Sequence, residues 1–307
     1  MIVDKHPYVV IAGPTASGKS GLGIRLAKEL GGDIVNFDSV QVYRGFDIGA
    51  AKPTRDEMSE VPHHLFDIVE PHEEYDARKF SQDALEVMRG IWTRKRIPIL
   101  VGGTGLYLRA LWGEQFHEDM PKDQELRDQL EKRSNPELMK ELQRIDPERA
   151  RKIHLNDRFR LVRAVELAIL LGGPAFARET SGGERGQGFV IILDPDRGVL
   201  HQRIAERSKM MLEAGLLEEV QRLLDAGVPQ TVKPFGSIGY KQCLEAINGG
   251  ISSDALLEKI KAATRQYAKR QTTWFKKVSC QLRLTDACQL EEHQESLRRH
   301  VAELQKS

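Results

Sequence analysis

The chain has 307 residues, of which 40% are hydrophobic, so it can bury a core and is long enough for one large domain or two smaller ones. Its 46 Lys and Arg residues nearly balance its 45 Asp and Glu residues, so overall charge indicates no class of partner. The three cysteines include no Cys-x-x-Cys pair, which argues against a zinc site or a disulfide framework. Neither a signal peptide nor an apolar run of about 20 residues is visible, so we expect a cytoplasmic protein without membrane contact.

A glycine-rich motif follows the first apolar run, at residues 8–12, and precedes a helical pattern at 21–30. Strand, G-x-x-x-x-G-K-[ST] and helix are the context of a P-loop, whose amides bind phosphate at a helix N-terminus. Lys19 adds a positive charge, and Ser20 offers a hydroxyl to Mg²⁺. The pattern predicts a phosphate or diphosphate site at Gly13, Pro14, Thr15, Ala16, Ser17, Gly18, Lys19 and Ser20. It does not say whether the ligand is ATP.

Short apolar runs at 33–38, 65–69, 97–101 and 189–194 predict further strands of a parallel sheet. Ligands bind at the carboxyl ends of such strands. Asp38 lies at one of these ends, and Thr104 follows another in the loop Gly102–Gly105. Both are therefore candidates for the ligand site, although Asp38 is equally compatible with simply capping the next turn.

The pattern changes near residue 118, after which helices punctuated by caps continue to Gly172 without a strand. A glycine-rich stretch at 181–188 precedes the return to the sheet. We predict a P-loop NTPase-like α/β core, residues 1–117 and 189–307, with an all-helical insertion at 118–188. Helices are also expected at 78–94, at 199–214, from there to Asp225, and at 290–304.

Two segments carry most of the local positive charge. Residues 149–163 contain six Lys or Arg residues and one acid, and residues 259–277 contain seven Lys or Arg residues and no acid. In the second segment Lys261, Arg265 and Lys269 fall on one helical stripe, with aromatic residues interleaved. Such a segment in a chain of balanced charge favours binding to a phosphate backbone.

Several motifs occur together, in order, over nearly the whole chain: the P-loop, Asp-Ser-Val-Gln-Val-Tyr at 38–43, Asp-Ile-Gly-Ala-Ala-Lys-Pro at 47–53, Gly-Gly-Thr-Gly-Leu-Tyr at 102–107, Gly239-Tyr240 and Lys-Arg-Gln-Thr-Thr-Trp at 269–274. This set resembles the tRNA dimethylallyltransferase family, the bacterial IPP transferases of tRNA. The resemblance implies transfer of a dimethylallyl group from dimethylallyl diphosphate to N6 of adenosine 37, beside the anticodon. It also implies Mg²⁺, and we expect a monomer that binds the tRNA anticodon stem-loop.

The resemblance also assigns roles to residues. Asp38 is implied as the general base, Thr104 as a neighbour of the reacting adenosine, and Arg207, rather than Arg203, as the arginine that binds the diphosphate. This chain has Phe159 and Val162 where the family often has Gln and Ser. The implied tRNA contacts are Asp38, Ser39, Val40, Gln41, Thr104, Arg127, Phe159, Arg160, Leu161, Val162, Arg163, Ser237, Gly239, Tyr240, Lys241, Lys269, Arg270, Gln271, Trp274 and Lys276.

Two other functions share part of this pattern. A P-loop kinase of a small metabolite would use the same loop and sheet, but it leaves the basic segment at 259–277 unexplained. An RNA-binding ATPase without transfer chemistry explains the basic segments, but not Asp38 at a strand end.

Overall fold

The computed structural model describes residues 6–113, 121–174, 188–293, 295 and 297–299. The chain separates into two compact units, with divisions between Trp112 and Gly113 and between Gly183 and Glu184. The outer segments form one unit, the core unit, and residues 113–183 form the other, the insertion unit. The insertion was predicted at 118–188, so both predicted boundaries lie five residues further along the chain.

The described strands are Tyr8–Ala12 (β1), Gly32–Asn36 (β2), His63–His64 (β3), Ile97–Gly102 (β4), Gly188–Leu193 (β5) and Leu282–Leu284 (β6). They form one parallel sheet in the order β3-β2-β4-β1-β5-β6. This order puts β1, which leads into the P-loop, between β4 and β5. The predicted α/β fold with a parallel sheet is confirmed.

The strand predicted at 65–69 is wrong. The pairing with β2 is made two residues earlier, where His63 and His64 lie opposite Ile34 and Val35. Leu65 and Asp67 then adopt φ values of 64° and 53°, a left-handed backbone that cannot continue a strand. Only Val69 of this segment makes an isolated bridge, with Tyr43.

The helices of the described residues are Lys19–Leu30 (α1), Arg55–Glu60 (α2), Ala77–Thr93 (α3), Gly105–Leu111 (α4), Gln124–Leu130 (α5), Asn135–Ile145 (α6), Pro147–Lys152 (α7), Arg158–Leu170 (α8), Arg197–Glu213 (α9), Leu216–Asp225 (α10), Tyr240–Gly249 (α11) and Ser253–Phe275 (α12). In the segment predicted as a helix at 290–304, a 3-10 turn runs from Ala287 to His293, and the described residues 295 and 297–299 are helical. Residues 300–307, like 181–187 of the predicted flexible stretch, lie outside the described residues. Within the described ranges, none of the helices has the length and hydrophobicity needed to cross a membrane.

The core unit buries apolar side chains on both faces of the sheet. Along β1, Val10 and Ala12 belong to a cluster that includes Phe80 of α3. The alternate residue Ile11 belongs to the cluster on the other face, with Leu22 of α1. Because successive side chains of a strand point to opposite faces, a strand covered on both sides is apolar throughout. This is why the run at 8–12 is recognisable in the sequence.

The insertion unit has a separate apolar core, which includes Leu138 and Leu142 of α6 and Leu161 and Val165 of α8. Beside it lies Glu166, whose side chain is fully buried. Its carboxylate accepts hydrogen bonds from Arg127 at 2.8 Å, from Arg163 at 2.7 Å and from the backbone N–H of Asp123 at 3.1 Å. Burial raises the pKa of Glu166, but these hydrogen bonds outweigh it and hold the pKa below its ordinary value.

Replacing Glu166 by Gln is expected to lower the stability of the insertion unit by about 3 kcal/mol, because two guanidinium groups lose their shared carboxylate. Since the folded-state pKa lies below the unfolded value, this contribution is present above the unfolded pKa and is lost as pH falls through the folded one. Urea unfolding at neutral and acidic pH measures both effects. The control is Glu125→Gln, an exposed acid of α5. Equal midpoints for the two variants would contradict the prediction.

Candidate active site

A cavity of about 360 Å³ lies in the core unit at the carboxyl ends of the sheet strands. Much of its lining comes from the P-loop, from the ends of β2 and β4 with the loops that follow them, and from helices α9 and α12. The lining residues include Thr15, Ala16, Lys19, Ser20, Asp38, Gly102, Gly103, Arg207, Tyr267 and Gln271. The candidate residues 15, 19, 20, 38 and 207 are therefore brought together around one space.

The P-loop turns directly from β1 into α1, and two glycines allow this turn. A Cβ atom on Gly13 would lie 2.3 Å from the carbonyl oxygen of Leu193, and Gly18, just before α1, has a left-handed φ of 91°. Thr15, Ala16, Lys19 and Ser20 face the cavity, at the N-terminus of α1, where the helix dipole favours an anion. Gly13, Pro14, Ser17 and Gly18 are absent from the cavity lining and shape the loop instead.

Two cations face the cavity from different elements. The Nζ atom of Lys19 donates a hydrogen bond of 2.6 Å to the carbonyl oxygen of Pro14. Burial, and then the charge of Arg207, lower the pKa of Lys19 to about 7, although Asp38 opposes the shift. The pKa of Arg207 is lowered by burial too, and it is partly restored by Asp38. An anion bound between these two side chains would relieve the cost of enclosing both charges.

Arg207 and Arg203 point to different partners, although both are on α9. Arg207 Nη1 donates to the hydroxyl of Thr15 at 3.2 Å and so lies against the P-loop. Arg203 pairs with Asp286 at 2.9 Å and does not line the cavity. The geometry therefore favours Arg207 for anion binding. Asp194, at the end of β5, pairs with Arg283 at 3.4 Å and does not line the cavity either.

Asp38 both caps a turn and faces the cavity. Its Oδ1 atom accepts the backbone N–H of Val40 at 2.8 Å and that of Gln41 at 3.4 Å. Its Oδ2 atom accepts no hydrogen bond from any residue that the structure describes. The two interpretations left open by the sequence are thus compatible, because the cap fixes one oxygen and leaves the other available.

Thr104 connects the loop after β4 to the loop after β2. Its hydroxyl oxygen accepts the backbone N–H of Ser39 at 3.1 Å. Thr104 is not itself part of the cavity lining, whereas the neighbouring Gly102 and Gly103 are. The side chain of Gln41 donates to the carbonyl oxygens of Ala50 and Ala51, each at 3.0 Å, so it holds the loop at 47–53.

Some residues predicted to contact tRNA have exposed side chains on the core unit, and others do not. Lys241, Lys269, Arg270 and Lys276 are exposed, and Ser237, Gly239 and Arg270 line the cavity. The expectation that the Tyr240 side chain contacts tRNA has to be corrected. Its ring is fully buried, and its hydroxyl donates to Glu219 at 2.6 Å.

Two more predicted contacts in α12 pack against the loop after β4. Gln271 is buried and makes hydrogen bonds to Thr15 and Gly103, so its side chain cannot reach RNA outside the cavity. Trp274 packs against Gly105, where an added Cβ atom would lie 2.5 Å from the indole ring.

In the insertion unit the predicted RNA-contacting segment is also divided. Phe159 is 83% exposed, and the side chain of Arg160 is 75% exposed. The expectation that the side chains of Leu161 and Val162 contact tRNA has to be corrected. Both are buried in the insertion core, and Leu161 is fully buried. Arg127 and Arg163 are half-buried and paired with Glu166, which gives them a structural role.

Sequence reasoning missed several residues of the cavity, including Tyr267 and His63. Burial, and then the charge of Asp38, raise the pKa of Tyr267. His63 Nδ1 lies 2.8 Å from the carbonyl oxygen of Val61 and must therefore donate to it. Tyr267 lies within the acid-free basic segment at 259–277, where the charges, rather than the tyrosine, are the conspicuous feature. No local pattern distinguishes His63 from an exposed loop histidine.

The donor set suits a magnesium ion that is held mainly by a bound phosphate. No group of three or more His, Cys, Asp or Glu side chains that could hold a metal occurs in the described part of the chain. Ser20 is exposed and lines the same cavity as Asp38. Mg²⁺ typically keeps several waters and takes one or two protein ligands together with substrate phosphates, so this sparse set fits it.

Two family models match the chain. One, described as IPP transferase, covers residues 41–278, and the other, isopentenyl transferase, covers residues 7–67. The chain belongs to the IPP transferase family. Together these matches include the P-loop, Asp38, Thr104, Arg207 and α12.

IPP transferases of known name are similar over most of the chain. The tRNA dimethylallyltransferase of an Exiguobacterium species is 44% identical, over 89% of this chain and 88% of its own. The tRNA dimethylallyltransferase of Geobacter metallireducens is 42% identical, over 90% of this chain and 91% of its own. The tRNA isopentenylpyrophosphate transferase structure from Bacillus halodurans has a TM-score of 0.73 at 35% identity and covers 98% of this chain and 99% of its own. A eukaryotic dimethylallyltransferase acting on tRNA has a TM-score of 0.78 at 29% identity, over 95% and 77%.

The affinity of the cavity for a diphosphate monoester is expected to fall as pH rises from about 7 to about 9. With a pKa of about 7, the Lys19 ammonium of the ligand-free protein is progressively lost above that pH, and binding must then take up a proton. The loss is at most about tenfold per pH unit. Calorimetric titration measures it, and Lys19→Arg, which keeps its charge, should flatten the dependence. Parallel pH profiles for the wild type and this variant would contradict the assignment.

Proposed function

We propose that this chain transfers a dimethylallyl group from dimethylallyl diphosphate to N6 of adenosine 37 in tRNA, next to the anticodon, with release of diphosphate. The observation that carries the proposal is that Lys19, Arg207 and Asp38 face one cavity. Two cations suit a diphosphate, and a carboxylate suits a proton acceptor. The names of the related IPP transferases agree with this chemistry.

The leaving group is best placed at the P-loop. As N6 attacks the allylic carbon, the bond from that carbon to oxygen breaks, and diphosphate leaves with the electron pair. Negative charge therefore accumulates where the N-terminus of α1, Lys19 and Arg207 converge. An enzyme that transfers a phosphoryl group would instead need to place the group that accepts it beside the terminal phosphate. We assign Asp38, which lines the same cavity, as the base that an amine nucleophile needs.

Asp38 is the proposed base. The N6 amine of adenine is a weak nucleophile, since its lone pair is delocalised into the ring, and it must lose a proton as it attacks. The Oδ1 hydrogen bonds with Val40 and Gln41 hold the carboxylate in place, which directs Oδ2 as the proton acceptor. Tyr267 lines the same cavity as Asp38.

The cavity also has an apolar wall. Ile204 and Met211 of α9 and Ile260 of α12 line it, together with Ile238. Apolar side chains favour a hydrocarbon group that water would solvate poorly. We propose that this wall binds the dimethylallyl group. The wall would therefore favour the prenyl donor over a nucleotide such as ATP.

Mg²⁺ is proposed as a cofactor, with Ser20 as its protein ligand and the diphosphate supplying further oxygen atoms. When bound, it would neutralise part of the charge that builds on the leaving group. Because the proposed substrate is tRNA, we place the reaction in the cytoplasm, and we propose that the protein acts as a monomer.

The RNA is proposed to bind along the exposed basic face of α12 and the residues after it. Lys269, Arg270, Lys276 and Lys277 are exposed there, whereas Lys261 is paired with Glu258 and only 18% exposed. The target base must leave its stack to enter the cavity, which is easiest in an unpaired loop such as that of the anticodon.

Asp38→Asn is expected to lower the single-turnover rate of prenyl transfer by about 10²- to 10⁴-fold while both substrates still bind. The amide keeps the shape and the cap to Val40, but it cannot accept the proton. The rate is measured with radiolabelled dimethylallyl diphosphate and unmodified tRNA. Asp56→Asn, an exposed acid of α2, serves as the matched control.

The same assay separates the proposal from its rivals. Label should appear in tRNA without ATP. Phosphorylation of a small metabolite by labelled ATP would favour the kinase, and RNA binding without any transfer would favour the non-catalytic module. Asp38→Asn with a rate close to that of the control would leave Asp38 as a cap only.

Replacing Lys269, Lys276 and Lys277 by Gln should weaken tRNA binding and reduce its salt dependence. Each phosphate contact that is lost lowers the slope of log K against log salt concentration by roughly 0.7 to 0.9. Filter binding across a salt series measures the slope. Removing the same charge at Lys28, Lys79 and Lys95, outside α12, is the control, and an equal slope for the two triple variants would argue against this surface.

A further inference from the structure

Gln271 is a buried polar residue at the centre of the core unit, on the helix that also carries the basic face. Its Oε1 atom accepts the backbone N–H of Thr15 at 2.8 Å, and its Nε2 atom donates to the carbonyl oxygen of Gly103 at 3.0 Å. Both partners are backbone groups with fixed roles, so the orientation of the amide is determined by them. One side chain therefore bonds to the P-loop and to the loop after β4.

These two bonds lie within a longer series of contacts. On one side, Thr15 accepts a hydrogen bond from Arg207, at the site proposed for the leaving group. On the other, Gly103 precedes Thr104, whose hydroxyl accepts the N–H of Ser39, next to the proposed base. Gln271 thus connects the part of the site that takes the diphosphate with the part that holds Asp38.

The packing around Gln271 leaves little freedom for the loop at 102–105. A Cβ atom added to Gly103 would lie 2.4 Å from Gln271 Nε2, and one added to Gly105 would lie 2.5 Å from the ring of Trp274. Gln271 and Trp274 are three residues apart on α12 and therefore share one face of the helix. This face of α12 presses on the loop, and the glycines permit the approach.

We propose that Gln271 is a positioning residue that sets the distance between the diphosphate site and the base, and that it does not contribute to tRNA binding outside the cavity. This inference rests on the function proposed above. An amide is suited to the position because it accepts from one loop and donates to the other at the same time. Because transfer requires donor and acceptor in line, a small shift between the loops reduces the rate more than it reduces the affinity for either substrate.

Gln271→Leu, which removes both bonds at similar size, is expected to lower the single-turnover rate at saturating donor and tRNA by about 10- to 100-fold. The dissociation constant for tRNA should stay at its wild-type value. Amide hydrogen exchange at Thr15 should become faster, because its N–H loses its acceptor. The matched control is Gln221→Leu, an exposed glutamine of α10, and the melting temperatures of both variants show whether folding is retained.

Gln271→Glu separates the two bonds, because a carboxylate can accept from Thr15 but cannot donate to Gly103. Exchange at Thr15 should remain slow while the transfer rate still falls. Weaker tRNA binding by Gln271→Leu, with a wild-type rate at saturation, would overturn the inference and make Gln271 an RNA contact. Unchanged exchange at Thr15 in Gln271→Leu would overturn it as well. If the wild type transfers no prenyl group, the proposed function fails, and the exchange data still decide whether Gln271 holds the P-loop.

Discussion

The arrangement of the candidate site depends on two half-buried cations, Lys19 and Arg207, which face the same cavity. Each has a lowered pKa because burial disfavours its charge, and Asp38 is the acid that offsets this for both. One carboxylate cannot neutralise two cations, so the ligand-free cavity holds an excess of positive charge whenever Lys19 is protonated, and a diphosphate would balance it. Functional sites often keep such locally destabilising arrangements.

The parallel sheet explains why these charges meet. β1 lies between β4 and β5, and β4 lies beside β2, so the loops that follow these strands share one edge. The P-loop, Asp38 and the loop at 102–105 are far apart in sequence but adjacent there. Residues from α9 and α12 complete the cavity from the side, adding Arg207, Tyr267 and Gln271.

The sequence predicts this arrangement as far as local patterns reach. The P-loop, the apolar strands and the position of Asp38 follow from composition and spacing within about ten residues. Contacts between residues that are distant in sequence cannot be predicted from such local patterns. The bonds from Gln271 to Thr15 and Gly103 span 256 and 168 residues, and the pairing of Arg127 and Arg163 with Glu166 has no local sequence pattern that predicts it. The prediction of a strand at 65–69 is wrong because Leu65 and Asp67 adopt a left-handed backbone conformation in spite of the apolar composition of the segment.

The central claim is that one cavity holds both ends of a single displacement reaction. A crystal structure with a thiolodiphosphate analogue of the prenyl donor and an anticodon stem-loop tests it most directly. We expect the diphosphate at the P-loop between Lys19 and Arg207, and N6 of the extruded adenosine about 2.6 to 3.2 Å from an oxygen of Asp38. A diphosphate bound elsewhere, or an adenosine whose N6 lies out of reach of Asp38 with the donor in place, would contradict it.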